Sequence, residues 1–225
     1  MATKYRYPTG ARPLLLEETA RRRGVESRFV SLLESAGFAE IILPIVDFAE
    51  PYAGCTSPAS AKQSYRFTDR DGELVAVRSD FTPMVARALA PALGELALPL
   101  RVFYRGDVVR CDATRLGSNR ELFQIGAELI GDPSPAADAE MLLLAASLVD
   151  DPLVVYTGTP LLDGDPRFVL HDDEEERGYY TGIRFWVFGA DRRTPVARGG
   201  RYDALYERFG TAAPAIGFTF TVDAR

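Results

Sequence analysis

The chain has 225 residues, 47% of them hydrophobic and 26% charged, which is enough apolar material to bury one large core. Its 26 basic and 32 acidic residues leave a formal net charge of −6, so there is no overall pull towards a polyanion and nucleic acid is not an expected partner, although a local basic groove would remain compatible with that total. Fifteen prolines and nineteen glycines are spread rather than pooled, and no segment approaches the ~18 consecutive apolar residues of a membrane helix, so disorder, collagen-like repeats and membrane spanning are excluded.

The opening residues Met1-Ala-Thr-Lys-Tyr-Arg-Tyr-Pro8 hold no apolar run of the kind a secretory signal needs, and the expected location is the cytoplasm. Cys55 and Cys111 lie far apart and His171 is the only histidine, so neither a disulfide framework nor a zinc site is expected, and no cofactor is called for.

In chain order, residues 17–36 predict a helix, because Val25, Phe29, Leu32, Leu33 and Ala36 recur at helical spacing and Gly37 can take the left-handed position that ends it. Residues 41–48 are apolar and β-branched and predict a strand, with Pro44 at an edge or an irregular point. Residues 65–77 predict a hairpin around Asp71-Gly72. A helix follows from Thr82, placed to cap, with Pro83 suited to its first turn.

Residues 98–111 and 121–131 predict an antiparallel pair joined by a polar loop holding Arg115, Gly117, Ser118 and Asn119. An apolar helix is expected over 136–149, with Asp138 and Glu140 near its positive end. Residues 150–176 read as a linker, rich in proline and ending in the acidic run 172–176. Beyond it come an aromatic strand over 179–188, a short helix over 201–209 closed by Gly210, and a final strand over 215–222. About six strands, mostly in hairpin relationships, with interspersed helices make an α+β fold with a largely antiparallel sheet.

The chemistry concentrates on the strand Glu121-Leu-Phe-Gln-Ile-Gly-Ala-Glu-Leu-Ile130, where Phe123, Ile125, Ala127 and Leu129 share one face and Gln124, Gly126 and Glu128 share the other. Gln124 and Glu128 are about 13 Å apart at ~3.3 Å per residue. They either grip the two ends of a small zwitterion lying over Gly126 or form an ordinary solvent-facing surface. Arg105 is either an anion ligand or half of a surface ion pair, and Asp80 and Thr82 are either ligand contacts or caps. Arg198-Gly-Gly-Arg201 is open between a turn and a site for close approach of an anion. No activated nucleophile stands out, and His171 reads as a surface residue, so binding is favoured over covalent catalysis.

Several ordered motifs then carry a resemblance over nearly the whole chain. They are Tyr7-Pro-Thr-Gly-Ala-Arg12, Val77-Arg-Ser-Asp-Phe-Thr-Pro-Met-Val-Ala-Arg87, Phe103-Tyr-Arg-Gly-Asp107, Gly117-Ser-Asn-Arg-Glu-Leu-Phe-Gln-Ile-Gly-Ala-Glu128, Tyr179-Tyr-Thr-Gly182, Gly199-Gly-Arg-Tyr-Asp203 and Ala215-Ile-Gly-Phe218. Together they resemble the core of class II histidyl-tRNA synthetases and, more closely through Asp80-Phe-Thr-Pro83, the synthetase-like regulatory subunits of ATP phosphoribosyltransferase.

The resemblance implies a class II synthetase-like α+β core over residues 1–225, shortened between 150 and 177, with nothing after residue 225 for an anticodon-binding domain. It also implies a histidine pocket formed by Asp80, Thr82, Gln124, Glu128, Tyr179 and Tyr180, with Arg105 at the position that meets the α-phosphate of ATP in the synthetases. The departures count against catalysis. Glu175-Glu-Arg-Gly178 stands where the synthetases carry Arg-Gly-Leu-Asp, Arg177 is two residues out of place, and Arg225 is one residue out of register with a family arginine.

The resemblance therefore implies a non-catalytic subunit, a homodimer bound to the short-form catalytic subunit of ATP phosphoribosyltransferase, that supports its activity and transmits feedback by L-histidine. Its apolar interface is expected to include the start of the chain and residues 41–48. The alternative is a truncated ligase that activates histidine or a related amino acid with ATP.

Overall fold

The computed structural model describes residues 6–55, 63–111, 119–162, 164–171 and 178–222. The loop residues Arg115, Gly117 and Ser118, the acidic run 172–176, Arg177 and Arg225 lie outside the described residues.

Helix α1 (Glu17–Ser35) forms as its apolar spacing predicts and buries Phe29 and Leu33. It ends at Gly37, whose φ of 82° lets the Phe38 N–H return to the Leu33 carbonyl. The segment over 41–48 is not one strand. Only its end is a strand, β2 (Val46–Phe48); β1 (Ala39–Glu40) precedes it and belongs to a different sheet, with Pro44 in the interval. Proline supplies no N–H to a ladder, so the chain changes sheets there.

The hairpin of β3 (Arg66–Thr68) and β4 (Leu74–Val77) turns at Gly72, whose φ is 89°, while the Asp69 carboxylate accepts from the N–H groups of Asp71 and Glu73. With β2 these strands make a small antiparallel sheet in the order β2-β4-β3. Helix α2 (Thr82–Leu89) occupies the predicted position with Pro83 in its first turn. Thr82 is not its cap. The Asp80 carboxylate accepts from the Thr82 N–H at 3.2 Å, which frees the hydroxyl for another partner.

The main sheet has eight strands in the order β1-β5-β6-β11-β10-β9-β7-β8. Here β5 is Leu100–Val109, β6 is Glu121–Ile130, β7 is Leu153–Tyr156, β8 is Phe168–Leu170, β9 is Arg184–Phe188, β10 is Pro195–Arg201 and β11 is Ala215–Thr221. All neighbours are antiparallel except the pairs β1–β5 and β7–β8. The largely antiparallel expectation holds, with eleven described strands rather than six.

The supposed linker over 150–176 supplies β7 and β8 of this sheet, and the buried Val154 and Tyr156 anchor it. Its prolines flank short strands rather than breaking an extended one. The aromatic strand is confined to β9, and the predicted helix over 201–209 is reduced to a 3-10 turn over Tyr206–Phe209 that ends at Gly210. Arg201 instead closes β10, a strand in place of the turn or loop site that the sequence left open.

Two cores flank the sheet. On one face α1 and α3 (Pro135–Ser147, capped by the Ser134 hydroxyl) pack over Phe103, Ile125, Ala127, Leu129 and Phe185. On the other, α2 and its following 3-10 turn pack over Val102, Tyr104, Ile130, Tyr202 and Tyr206. Each fully buried large apolar side chain contributes roughly 1.5–3 kcal/mol. Strand β6 is buried on both faces from Phe123 onward, which makes it the rigid axis beside which the cavity forms.

Candidate functional site

The register of the central strands fixes which side chains share the second face. Gln124 pairs with Gly106 and Thr221, Gly126 with Tyr104 and Thr219, and Glu128 with Val102 and Gly217. The rows continue across β10 and β9, where Thr219 neighbours Arg198, which neighbours Trp186, and Gly217 neighbours Gly200, which neighbours Arg184. Over this surface lies a cavity of about 560 Å³. Its lining includes Asp80, Thr82, Arg110, Gln124, Tyr179, Tyr180, Arg184, Trp186, Arg198 and Tyr202.

Five of the seven candidates meet at this cavity, namely Asp80, Thr82, Gln124, Tyr179 and Tyr180. Glu128 stands beneath it rather than on its surface. Its carboxylate is fully buried and accepts from the Thr82 hydroxyl at 2.9 Å, from the Tyr104 hydroxyl at 3.3 Å and from the Tyr202 hydroxyl. Burial pushes its carboxyl up to about 8, against the hydroxyl hydrogen bonds that favour the charge. Glu128 thus meets the cavity through the Thr82 and Tyr202 hydroxyls, which line it and donate to the buried carboxyl.

Gly126 does not lie open beneath a ligand either, because the Tyr104 ring covers it and its hydroxyl reaches Thr219 Oγ1 at 2.7 Å. The true openings are the paired glycines Gly217 and Gly200. The Glu128 carboxyl fills the space above the first and the Tyr180 ring the space above the second, so no side chain fits at either position. The glycines of Arg198-Gly-Gly-Arg201 thus serve close packing inside a strand rather than a turn.

Arg105 is not part of the cavity. It sits opposite Ile125 on the other face of the sheet, where its guanidinium pairs with Glu26 at 2.6 Å and Glu40 at 2.7 Å. Period two separates it from Tyr104, Gly106, Val108 and the position of Arg110, and Arg110 is the β5-side arginine that lines the cavity. Arg110 donates to the Ser79 carbonyl at 3.2 Å and lies near Asp80. That alternation was available in the sequence, once the strand was anchored on its pairing with Gly126.

Asp80 is the acid at the cavity surface. Burial raises its carboxyl, while Arg110, the Thr82 N–H and the Tyr179 hydroxyl pull it back down. Burial also lifts the Tyr179 phenol well above its ordinary range and the Tyr180 phenol to about 12, so both are neutral hydrogen-bonding groups. Sequence reasoning singled out Arg198 within a possible anion site but assigned no role to Tyr104, Tyr202, Thr219, Arg184 or Trp186. Strand β10 was not recognised as a strand, and without its register the row that sets Thr219, Arg198 and Trp186 side by side could not be read. Among the described residues no cluster of three or more His, Cys, Asp or Glu side chains is arranged to hold a metal ion. No described helix is long and apolar enough to cross a membrane.

A largely antiparallel sheet with helices on both faces and a polar cavity over its central strands is the architecture of a synthetase-like core, shared with solved structures. A structure from Bacillus halodurans, described as an ATP phosphoribosyltransferase regulatory subunit/histidyl-tRNA synthetase, superposes with a TM-score of 0.85 over 99% of this chain and 83% of its own, at 20% identity. A histidine-tRNA ligase subunit from Alicyclobacillus acidocaldarius gives 0.81 over 99% and 96%, at 23% identity. At those identities the likeness shows the fold.

The family model described as histidyl-tRNA synthetase matches residues 10–159 and 171–224, and the chain belongs to that family. Its relatives include an ATP phosphoribosyltransferase regulatory subunit from Geobacter sulfurreducens, 28% identical over 96% of this chain and 71% of the relative. Another from Halothermothrix orenii is 36% identical over 61% of this chain and 33% of the relative. A histidine-tRNA ligase from Methanocaldococcus jannaschii is 28% identical over 99% of this chain and 75% of the relative. The resemblance to synthetase-like regulatory subunits is borne out, while the matches cover between one third and three quarters of these curated relatives.

Proposed function

We propose that the chain is a non-catalytic regulatory subunit of ATP phosphoribosyltransferase that binds L-histidine in the cavity over β6 and β11. It would support the short-form catalytic subunit and convey feedback inhibition, acting in the cytoplasm. The observation that carries this reading is the convergence of Asp80, Thr82, Gln124 and the neutral pair Tyr179 and Tyr180 on one cavity, in a chain whose relatives include proteins named as that regulatory subunit.

A polar cavity with an acid at its surface suits a ligand that carries an amino group or an imidazole N–H. Feedback then requires that histidine bind one arrangement of the complex more tightly than the other, with the coupling set by that difference. A homodimeric core fits the apolar side chains left exposed near the start of the chain and around β2, among them Leu15, Leu16, Ile42, Ile45 and Phe48.

The alternative, a ligase that activates histidine or a related amino acid with ATP, is favoured by the relative named histidine-tRNA ligase that aligns over 99% of the chain. Histidine-dependent pyrophosphate exchange separates the two. The regulatory reading expects calorimetric binding of histidine with no exchange above background. Robust exchange would establish the ligase instead.

A further inference from the structure

The cavity carries a charge pattern that its amino-acid readers do not use. The chain as a whole bears a net charge of −6, yet the charged described residues lining the cavity are Asp80, Arg110, Arg184 and Arg198, three cations against one anion. Glu128 lies outside the lining, with its oxygens engaged by hydroxyls.

The cations are not equivalent. Arg110 donates to a backbone carbonyl beside Asp80, and the Arg184 guanidinium lies 5.5 Å from the Trp186 ring centroid. Arg198 makes no hydrogen bond or ion pair with any described residue, and its charge is felt at the Tyr180 phenol. It projects from β10 between Thr219 and Trp186 in the cross-strand row, on the same face as Gln124. From ~4.8 Å between strands and ~3.4 Å per residue, its Cα lies about 12 Å from that of Gln124, across the cavity floor. A guanidinium with no partner among the described residues, next to an indole at the edge of a cavity whose acid stands elsewhere in the lining, is suited to a carboxylate or phosphate group.

We infer that Arg198, backed by Arg184 and Trp186, is the anion-binding end of this cavity and reads the carboxylate of the amino-acid ligand or, by the same chemistry, a phosphate group. It deepens the histidine reading by naming the residue that supplies the carboxylate contact, and its anion chemistry can be tested separately from histidine. Trp186 is the only tryptophan in the chain, so intrinsic tryptophan fluorescence reports on this site alone.

The full-length chain is titrated with L-histidine, with histamine, which lacks the carboxylate, and with inorganic pyrophosphate, each against Arg198→Ala and Arg198→Lys. Circular dichroism confirms that the variants are folded. Histidine is expected to change the Trp186 signal, histamine to do so only at far higher concentration, and Arg198→Ala to weaken histidine about 10- to 100-fold, the range of a charge-assisted hydrogen bond. Arg198→Lys should fall between, since it keeps the charge and loses the fork.

If pyrophosphate alone binds and Arg198→Ala abolishes it, the anion site stands with phosphate as its ligand and the histidine reading fails. Equal affinity of the wild-type chain and Arg198→Ala for every bound ligand overturns the inference, as does a wild-type chain that binds none of the three.

Discussion

Replacing Glu128 by glutamine tests the claim that the carboxyl beneath the cavity is held neutral by burial. Its pKa in the fold is raised to about 8 from an ordinary 4.5, with desolvation the main cause, so between these values the native state keeps a proton that the unfolded chain has released. The unfolded state then binds fewer protons and stability declines as pH rises. The contribution is fully present below about pH 4.5, decreases across the window and is lost above about pH 8.

The slope inside the window is about 1.4 kcal/mol per pH unit, so raising pH from about 5.5 to about 7.5 should weaken the wild-type fold by on the order of 3 kcal/mol relative to Glu128→Gln. The amide is isosteric and cannot ionise, and the Thr82, Tyr104 and Tyr202 hydroxyls can reorient to serve it. Urea unfolding of both proteins across this range gives the difference directly, with other titrating groups largely cancelling. Parallel stability curves for the two proteins would refute the burial argument.

Other substitutions probe the supports of the cavity. Gly200→Ala should destabilise by roughly 1–3 kcal/mol in thermal melts, because the new methyl would stand 2.5 Å from the Ile183 carbonyl oxygen and 2.7 Å from the Tyr180 ring, and the displaced ring should also weaken ligand binding. Arg201→Ala should cost about 3–5 kcal/mol in chemical denaturation, since Arg201 pairs with Asp138 at 2.7 Å and Asp203 at 3.0 Å and its removal strands the half-buried Asp138 carboxylate without its partner. Thr82→Val should lower stability at neutral pH by about 1–2 kcal/mol through loss of its donation to the buried Glu128, while α2 should persist in circular dichroism because Asp80 receives the Thr82 N–H.

Where local chemistry decides the structure, the sequence was legible. The hairpin at Asp71-Gly72, α2 behind Pro83 and the β5–β6 pair all follow from turn residues, caps and alternation over adequate length. The core face of β6 also follows, since Phe123, Ile125, Ala127 and Leu129 all enter the helix-side core. What was not legible depends on tertiary placement. Strands β7 and β8 have four and three residues, too few to show a period among flanking prolines, and acquire their strand state from ladder partners. Strand β10 contains Gly199 and Gly200, which read as a turn until the close approach of Phe185 and Tyr180 explains them. Arg105 and Arg110 differ only in parity, and parity carries meaning once the register with β6 is known.

The most direct test of the proposed role is reconstitution with a separately purified short-form ATP phosphoribosyltransferase catalytic subunit. Transferase activity should rise when this chain is added and fall again with histidine, and Gln124→Ala should blunt the inhibition more than the activation. A catalytic subunit whose activity is indifferent to the chain, with or without histidine, would contradict the account.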